Sequence, residues 1–88
     1  MFGANADGSA YTGEIVVSRV GDVFQIVKIV AGQKLTGTGI AHGDFFALSY
    51  SSGNSVHIAL LTSKGSGEIG IWADDGSNFL GTERWIRK

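Results

Sequence analysis

Leu35–Tyr50 reads LTGTGIAHGDFFALSY, two apolar runs that meet at His42-Gly43-Asp44 with Thr36-Gly37-Thr38-Gly39 leading in. A glycine-containing turn between alternating segments is a hairpin signal. It predicts strands near Lys34–Ala41 and Phe45–Ser51, and the same design recurs outward in both directions. Upstream, Ala31-Gly32-Gln33 turns the chain after Val23–Val30, whose Val, Ile and Phe residues favour a pleated strand. Gly21-Asp22 separates that strand from Tyr11–Val20, where Ile15 and Val17 alternate with Glu14, Val16 and Ser18. Met1–Ala10 is small and polar. It reads as an arm, flexible over residues 1–8, that ends in a turn at Asp7-Gly8-Ser9.

Downstream, Ser52-Gly53-Asn54 is a turn, Ser55–Thr62 a strand and Ser63-Lys64-Gly65-Ser66 another turn. Glu68–Ala73 is a short strand, Asp74–Asn78 a turn, and Phe79–Arg87 the closing strand. Nowhere do apolar residues hold a helical period with caps, so no helix is expected. Seven to eight strands, spaced about 11 residues apart and linked by short turns, predict an all-β, antiparallel up-and-down meander. The chain carries two internal echoes, the second of which favours closure. Thr12-Gly13 before Gly21-Asp22-Val23-Phe24 resembles Thr36-Gly37 before Gly43-Asp44-Phe45-Phe46. Asp7–Glu14 likewise parallels Asp75–Glu83, which would place matching segments at the first and last strands. In a closed barrel those two strands meet and no edge is left free; an open or dimer-completed sheet is the alternative.

Composition narrows the function classes. The 88 residues make a single β-barrel domain over residues 1–88. A chain of this size buries only about 60–65 % of the surface its unfolded form exposes. Small domains often add disulfides, a metal or a partner subunit, and the absence of cysteine removes the first and any thiolate metal site. A net charge of −1 with seven scattered basic residues gives no stripe for a phosphate backbone, so nucleic acid is not an expected partner. No apolar run approaches the roughly 18 residues of a membrane span, and the first ten residues have no charged and apolar leader pattern. Fourteen glycines, no proline and 43 % hydrophobic residues fit tight turns and close-packed strands rather than disorder.

Two strands are apolar on both faces. In Val23–Val30, Phe24, Ile26 and Val30 share a face with Lys28, while Val23, Val27 and Ile29 share the other with Gln25. In Ser55–Thr62, Val56, Ile58 and Leu60 oppose Ala59 and Leu61. A strand of a small solvated barrel needs only one apolar face. The second face predicts either a covering loop or arm, or a subunit interface in a homodimer or higher homo-oligomer.

The elements Asn5–Gly13, Phe24–Ile26, Gly37–Ile40, Phe46–Tyr50, Gly70–Trp72 and Gly81–Glu83 together form a pattern covering nearly the whole chain. It resembles the pattern of small exported bacterial proteins and lipoproteins of unknown function. The layout is also similar to calycin-type meander barrels, the architecture of lipocalins and avidins, without their diagnostic motifs. One departure is Lys28, which stands where the pattern has an aromatic residue after Phe24 and Ile26. The resemblance implies a secreted or periplasmic β domain, and it implies no activity.

Candidate chemistry is sparse. Gly65-Ser66-Gly67-Glu68-Ile69-Gly70 matches a dinucleotide fingerprint, but a strand and turn follow it where pyrophosphate binding requires a helix N-terminus. Gly3–Glu14 partly matches a calcium loop, with Gly3 in place of the first carboxylate. Asp74-Asp75 with Asn78 reads as a solvated turn. His42 and His57 lack metal-ligand spacing, and no serine sits in a nucleophile elbow. No metal, cofactor or catalytic residue is expected, although Glu14, Glu68 and Glu83 would matter if the fold brought them together. The aromatic set Tyr11, Tyr50, Trp72, Phe79 and Trp85 lies near strand ends. Such rings either plug a small barrel or line a mouth that stacks a sugar or planar ligand. Lys28, on an otherwise apolar face, pairs with Glu83 or Glu14, snorkels to a rim, or marks a binding site. The expected ligand-binding residues are Lys28, Tyr50, Trp72, Glu83 and Trp85. The expected function is a non-catalytic extracytoplasmic binding module for a small molecule, glycan or protein partner. The alternative is an assembly domain forming a homo-oligomer, with a hydrolase third.

Overall fold

A computed structural model describes residues 1–76 and 78–86. Eight strands follow one another: β1 (Phe2–Ala4), β2 (Ala10–Val20), β3 (Val23–Val30), β4 (Gln33–His42), β5 (Phe45–Ser52), β6 (Ser55–Lys64), β7 (Gly67–Asp74) and β8 (Gly81–Ile86). No helix is present among the described residues. Each strand pairs antiparallel with the next, and β1 pairs with β8, so the meander closes into a small barrel compatible with a calycin-like layout.

The turns explain why the meander is so regular. Two residues link β2 to β3, β3 to β4, β4 to β5, β5 to β6 and β6 to β7. Four of these loops begin with a glycine at φ near +60° (Gly21, Gly43, Gly53, Gly65), the first position of a type II′ turn. At the fifth, Ala31 and Gly32 both have positive φ, 52° and 75°, the requirement of a type I′ turn. Ala31 is the one non-glycine residue in this region among those described, at a cost of roughly 1 kcal/mol.

The arm expected over residues 1–8 is in part a barrel strand. Gly3 of β1 sits opposite both Tyr11 of β2 and Glu83 of β8. The chain is folded back by an Asx turn in which Asp7 Oδ1 accepts from Ser9 N and Ser9 Oγ at 2.9 and 2.6 Å. Because β1 intervenes, the expected first and last strands do not meet each other directly; each meets β1. The three residues Phe2-Gly3-Ala4 are too short a run to display an alternating pattern, and only backbone pairing reveals the strand. At the other end, Phe79 and Leu80 precede the ladder, which starts at Gly81. Ser77 and Arg87, assigned to the last turn and last strand, lie outside the described residues.

Inward rows pair large side chains against glycine. Gly37 stands between Ile26 and Tyr50, Gly39 between Phe24 and Leu48, and Gly81 opposite Trp72. A methyl group on Gly37 would run into the Ser49 carbonyl oxygen, and one on Gly81 into the Trp72 ring. The glycine rows therefore admit the aromatic rings that fill the lumen. Ile26, Leu35, Leu48, Tyr50, Ala59, Leu61 and Trp85 form the buried core. Each fully buried aliphatic side chain contributes about 1.5–3 kcal/mol.

The outer wall keeps the second apolar face read from the sequence. Val56, Ile58 and Leu60 of β6 point out and stay exposed, Ile58 at 61 %. Ile40, Ile71 and Leu80 extend the same face. Val23 and Ile29 of β3 are also exposed.

Candidate ligand-binding site

Period-two alternation and the hairpin registers carry several polar and aromatic side chains into the lumen. Lys28 of β3 is opposite Ile15 and Leu35, Tyr50 of β5 is opposite His57, and His57 of β6 is opposite Asp74. Gly70 faces Glu83, and Gly3 leaves room on its other flank. Lys28 and Glu83 are only 3 % and 5 % exposed.

They form an ion pair at the centre of the barrel, with Lys28 Nζ donating to Glu83 Oε2 at 2.6 Å. The Tyr11 hydroxyl donates to the same oxygen at 2.6 Å, and Trp85 Nε1 donates to Oε1 at 2.6 Å. Lys28 Nζ also donates to the Tyr50 hydroxyl at 3.1 Å and lies 4.3 Å from that ring's centroid. No buried side-chain nitrogen or oxygen among the described residues lacks a partner. A buried charge persists only when paired and hydrogen-bonded in this way. Burial, then the hydrogen bond to and charge of Glu83, push the Tyr11 hydroxyl well above its ordinary pKa of 10.0. Tyr50 is raised too, by burial first and then by the charges of Glu83 and Asp74.

Above this plug the barrel opens into a concave mouth of about 580 Å³. Asn5, Tyr11, Tyr50, His57, Trp72 and Asp74 line it, with Lys28 at the floor. His57 stacks on Tyr50 with centroids 4.9 Å apart and planes 14° from parallel. Its Nδ1 contacts Asp74 Oδ1, which orients the imidazole. Trp72 meets both His57 and Tyr11 edge-on at 6.2 Å, and its Nε1 donates to the Thr82 carbonyl oxygen. The mouth thus offers aromatic surface and a polar rim, all held by cross-strand contacts.

Of the five residues expected to bind ligand, Lys28, Tyr50, Glu83 and Trp85 come together in one network, and Trp72, at the mouth, reaches it through its edge-on contact with Tyr11. Lys28 pairs with Glu83, one of the options its sequence position allows. Only Tyr50 and Lys28 of the four networked residues border the mouth; Glu83 is enclosed, and Trp85 packs on Phe46 toward the opposite end, centroids 5.7 Å apart. Phe79 is 72 % exposed and does not line the mouth. Glu14 and Glu68 border the opposite end, so the three glutamates do not share one pocket. Sequence reading passed over His57 and Asp74 as site residues. Their signal was present in the register: in a meander both face Tyr50's side of the sheet. Gly65–Gly70 spans the β6–β7 hairpin and the start of β7. No group of three or more His, Cys, Asp or Glu side chains converges as a metal site among the described residues.

No protein-family model matches the chain, and neither the curated proteins nor the solved structures include a significant match.

Proposed function

We propose that this barrel is a non-catalytic binding module, working outside the cytoplasm, that takes a small polar ligand with one flat apolar face. Hexose rings and planar heterocycles have that character. The observation that carries the reading is the concave mouth in which Trp72 and the stacked Tyr50–His57 pair surround the buried Lys28. Aromatic rings supply stacking surface, while Asn5 and Asp74 at the rim supply hydrogen-bonding groups. The Lys28–Glu83 plug keeps a ligand at the mouth and out of the lumen. The extracytoplasmic setting rests on the resemblance to exported β domains alone. Native mass spectrometry of gently purified protein tests the binding reading. A reproducible extra mass on each chain, lost in Trp72→Ala, supports it; an identical extra mass on Trp72→Ala moves the ligand elsewhere and refutes it.

A second reading has its own observation. Ile40 of β4, Ile58 and Leu60 of β6, Ile71 of β7 and Leu80 just before β8 form an exposed aliphatic face, with Ala47 and Ser49 of β5 between them. Burying five half-exposed aliphatic side chains against the same five on a second copy would contribute roughly 8–14 kcal/mol, enough to offset association costs of the same order. This face suits a homodimer. Analytical ultracentrifugation at high micromolar concentration decides it: Ile58→Lys converts a dimer to a folded monomer, whereas a wild-type chain that is already monomeric removes the assembly reading.

A further inference from the structure

Around the aromatic mouth, hydrogen-bond donors are spent and acceptors are left over. Trp72 Nε1 donates to the Thr82 carbonyl oxygen, and the Tyr11 hydroxyl to Glu83. Lys28 Nζ donates to Glu83 and to the hydroxyl of Tyr50, which is itself buried. Asn5 Nδ2 donates to Ser9 Oγ at 2.9 Å. Ser9 Oγ gives its own proton to Asp7 Oδ1, so it can only accept from Asn5, and the amide nitrogen is the end turned toward it.

Three acceptors remain. Asn5, exposed at the rim, presents Oδ1. The contact of His57 Nδ1 with Asp74 Oδ1 sets the ring proton on Nδ1, and in the neutral imidazole this leaves a lone pair on Nε2. Asp74 keeps Oδ2. No buried side-chain nitrogen or oxygen among the described residues lacks a partner, so the open atoms of His57 and Asp74 reach solvent. Gln33 and Ser55, also on the rim, can donate or accept. Charge points the same way. Lys28 and Asp74 are the residues of fixed charge that border the mouth, and Lys28 is matched by Glu83. With His57 neutral, Asp74 leaves the mouth negative. The Lys28 ammonium lies 4.3 Å from the Tyr50 centroid and 5.8 Å from that of Tyr11, so the ring faces that would attract a cationic ligand already hold a cation.

We infer that the ligand of the mouth is a neutral saccharide. Two of its hydroxyls donate to His57 Nε2 and Asp74 Oδ2, and a C–H face of the ring stacks on Trp72. Because Nδ1 and Oδ1 touch, the two acceptors are held close enough for hydroxyls of one sugar ring to reach both. The inference rests on the binding reading above and narrows its ligand. A hydroxyl-rich ring supplies the donors that the mouth lacks. A planar heterocycle carries ring acceptors that would face acceptors here, an acidic sugar meets the Asp74 carboxylate, and an organic ammonium ion meets Lys28. His57 thus sets specificity, and Asp74 both accepts from the ligand and fixes the imidazole tautomer.

The test follows the Trp72 indole resonance of the whole chain at pH 8. The probes are the methyl glycosides of glucose, galactose and mannose, the corresponding hexuronates, and adenine. At least one neutral glycoside should shift the indole saturably and bind about fivefold or more tighter than its hexuronate. Deoxyfluoro analogues of that glycoside replace one donating hydroxyl at a time by fluorine, which only accepts; at two positions binding should weaken about fivefold or more. Asp74→Asn should bring the neutral and acidic sugars to within about twofold of each other, a ratio that a purely structural role of Asp74 would not move. The fluorinated series decides the question even if that variant does not fold. Indole shifts with adenine or a hexuronate, but with no neutral glycoside up to about 50 mM, overturn this inference and leave the binding reading standing. Fluorinated analogues that all bind as well as the parent overturn it too. An indole that no probe moves overturns both.

Discussion

Replacing Lys28 with methionine tests the buried network most severely. Lys28 is 3 % exposed and holds the 2.6 Å ion pair with Glu83, the 3.1 Å hydrogen bond to Tyr50, and approaches to the Tyr50 and Tyr11 rings. Methionine preserves the stem's packing and removes the charge. Breaking a buried pair by deleting one partner costs about 3–5 kcal/mol, since it strands the other charge. Glu83 keeps donors from Tyr11 and Trp85, so the expected loss is near the lower limit, about 3 kcal/mol. For 88 residues the total stability is on the order of 4–13 kcal/mol, so that loss is a large share. Urea unfolding followed by tryptophan fluorescence should show a lower midpoint at unchanged slope. Glu83→Gln should cost a similar amount by stranding Lys28, and the double variant should lose about 2 kcal/mol less than the sum of the singles. A Lys28→Met protein within about 1 kcal/mol of wild type, or a double variant additive within about 0.5 kcal/mol, would refute the coupled network.

The raised Tyr11 and Tyr50 hydroxyls imply an alkaline limit. The unfolded chain ionises near pH 10 while the folded one holds its protons, so stability is complete below pH 10 and falls as pH rises above it. A pH titration should show tyrosinate absorbance appearing together with loss of the β-sheet signal; ionisation of all tyrosines before unfolding would contradict the burial. Gly37→Ala should destabilise by about 2–3 kcal/mol, because the new methyl meets the Ser49 carbonyl oxygen and the Tyr50 Cβ, neither of which can retreat without breaking the ladder; a neutral effect in thermal melts would contradict the tight glycine rows. Ala31→Asn should stabilise by roughly 0.5–1 kcal/mol by relieving the positive φ in a turn that favours Asn-Gly, read as a higher urea midpoint.

How much of this was legible in the sequence depends on how far the signal travels along the chain. The Leu35–Tyr50 hairpin and the Val23–Val30 strand were readable because turn glycines and alternating apolar residues act locally. The meander followed from their repetition. β1 was hidden, since its existence depends on hydrogen bonds to β2 and β8 rather than on its own side chains. The ion pair was foreseeable as an option because Lys28 interrupts an apolar face. Its choice of Glu83 over Glu14 required the register, which points Glu14 outward and Glu83 inward. Trp72 and Trp85 were grouped as neighbours from their positions near strand ends. The barrel's length separates them, with Trp85 toward one end and Trp72 at the other. His57 and Asp74 are ordinary in sequence and become a pair only when β6 and β7 align.

The most direct measurement is a two-dimensional NMR titration of the chain with a panel of monosaccharides and planar heterocycles. The account predicts that at least one ligand shifts the Trp72 indole and His57 ring resonances saturably and leaves the Trp85 indole unmoved behind the Lys28–Glu83 plug, and that the His57 shift is lost in Trp72→Ala. Saturable shifts that centre on Trp85, or that persist undiminished in Trp72→Ala, would contradict it.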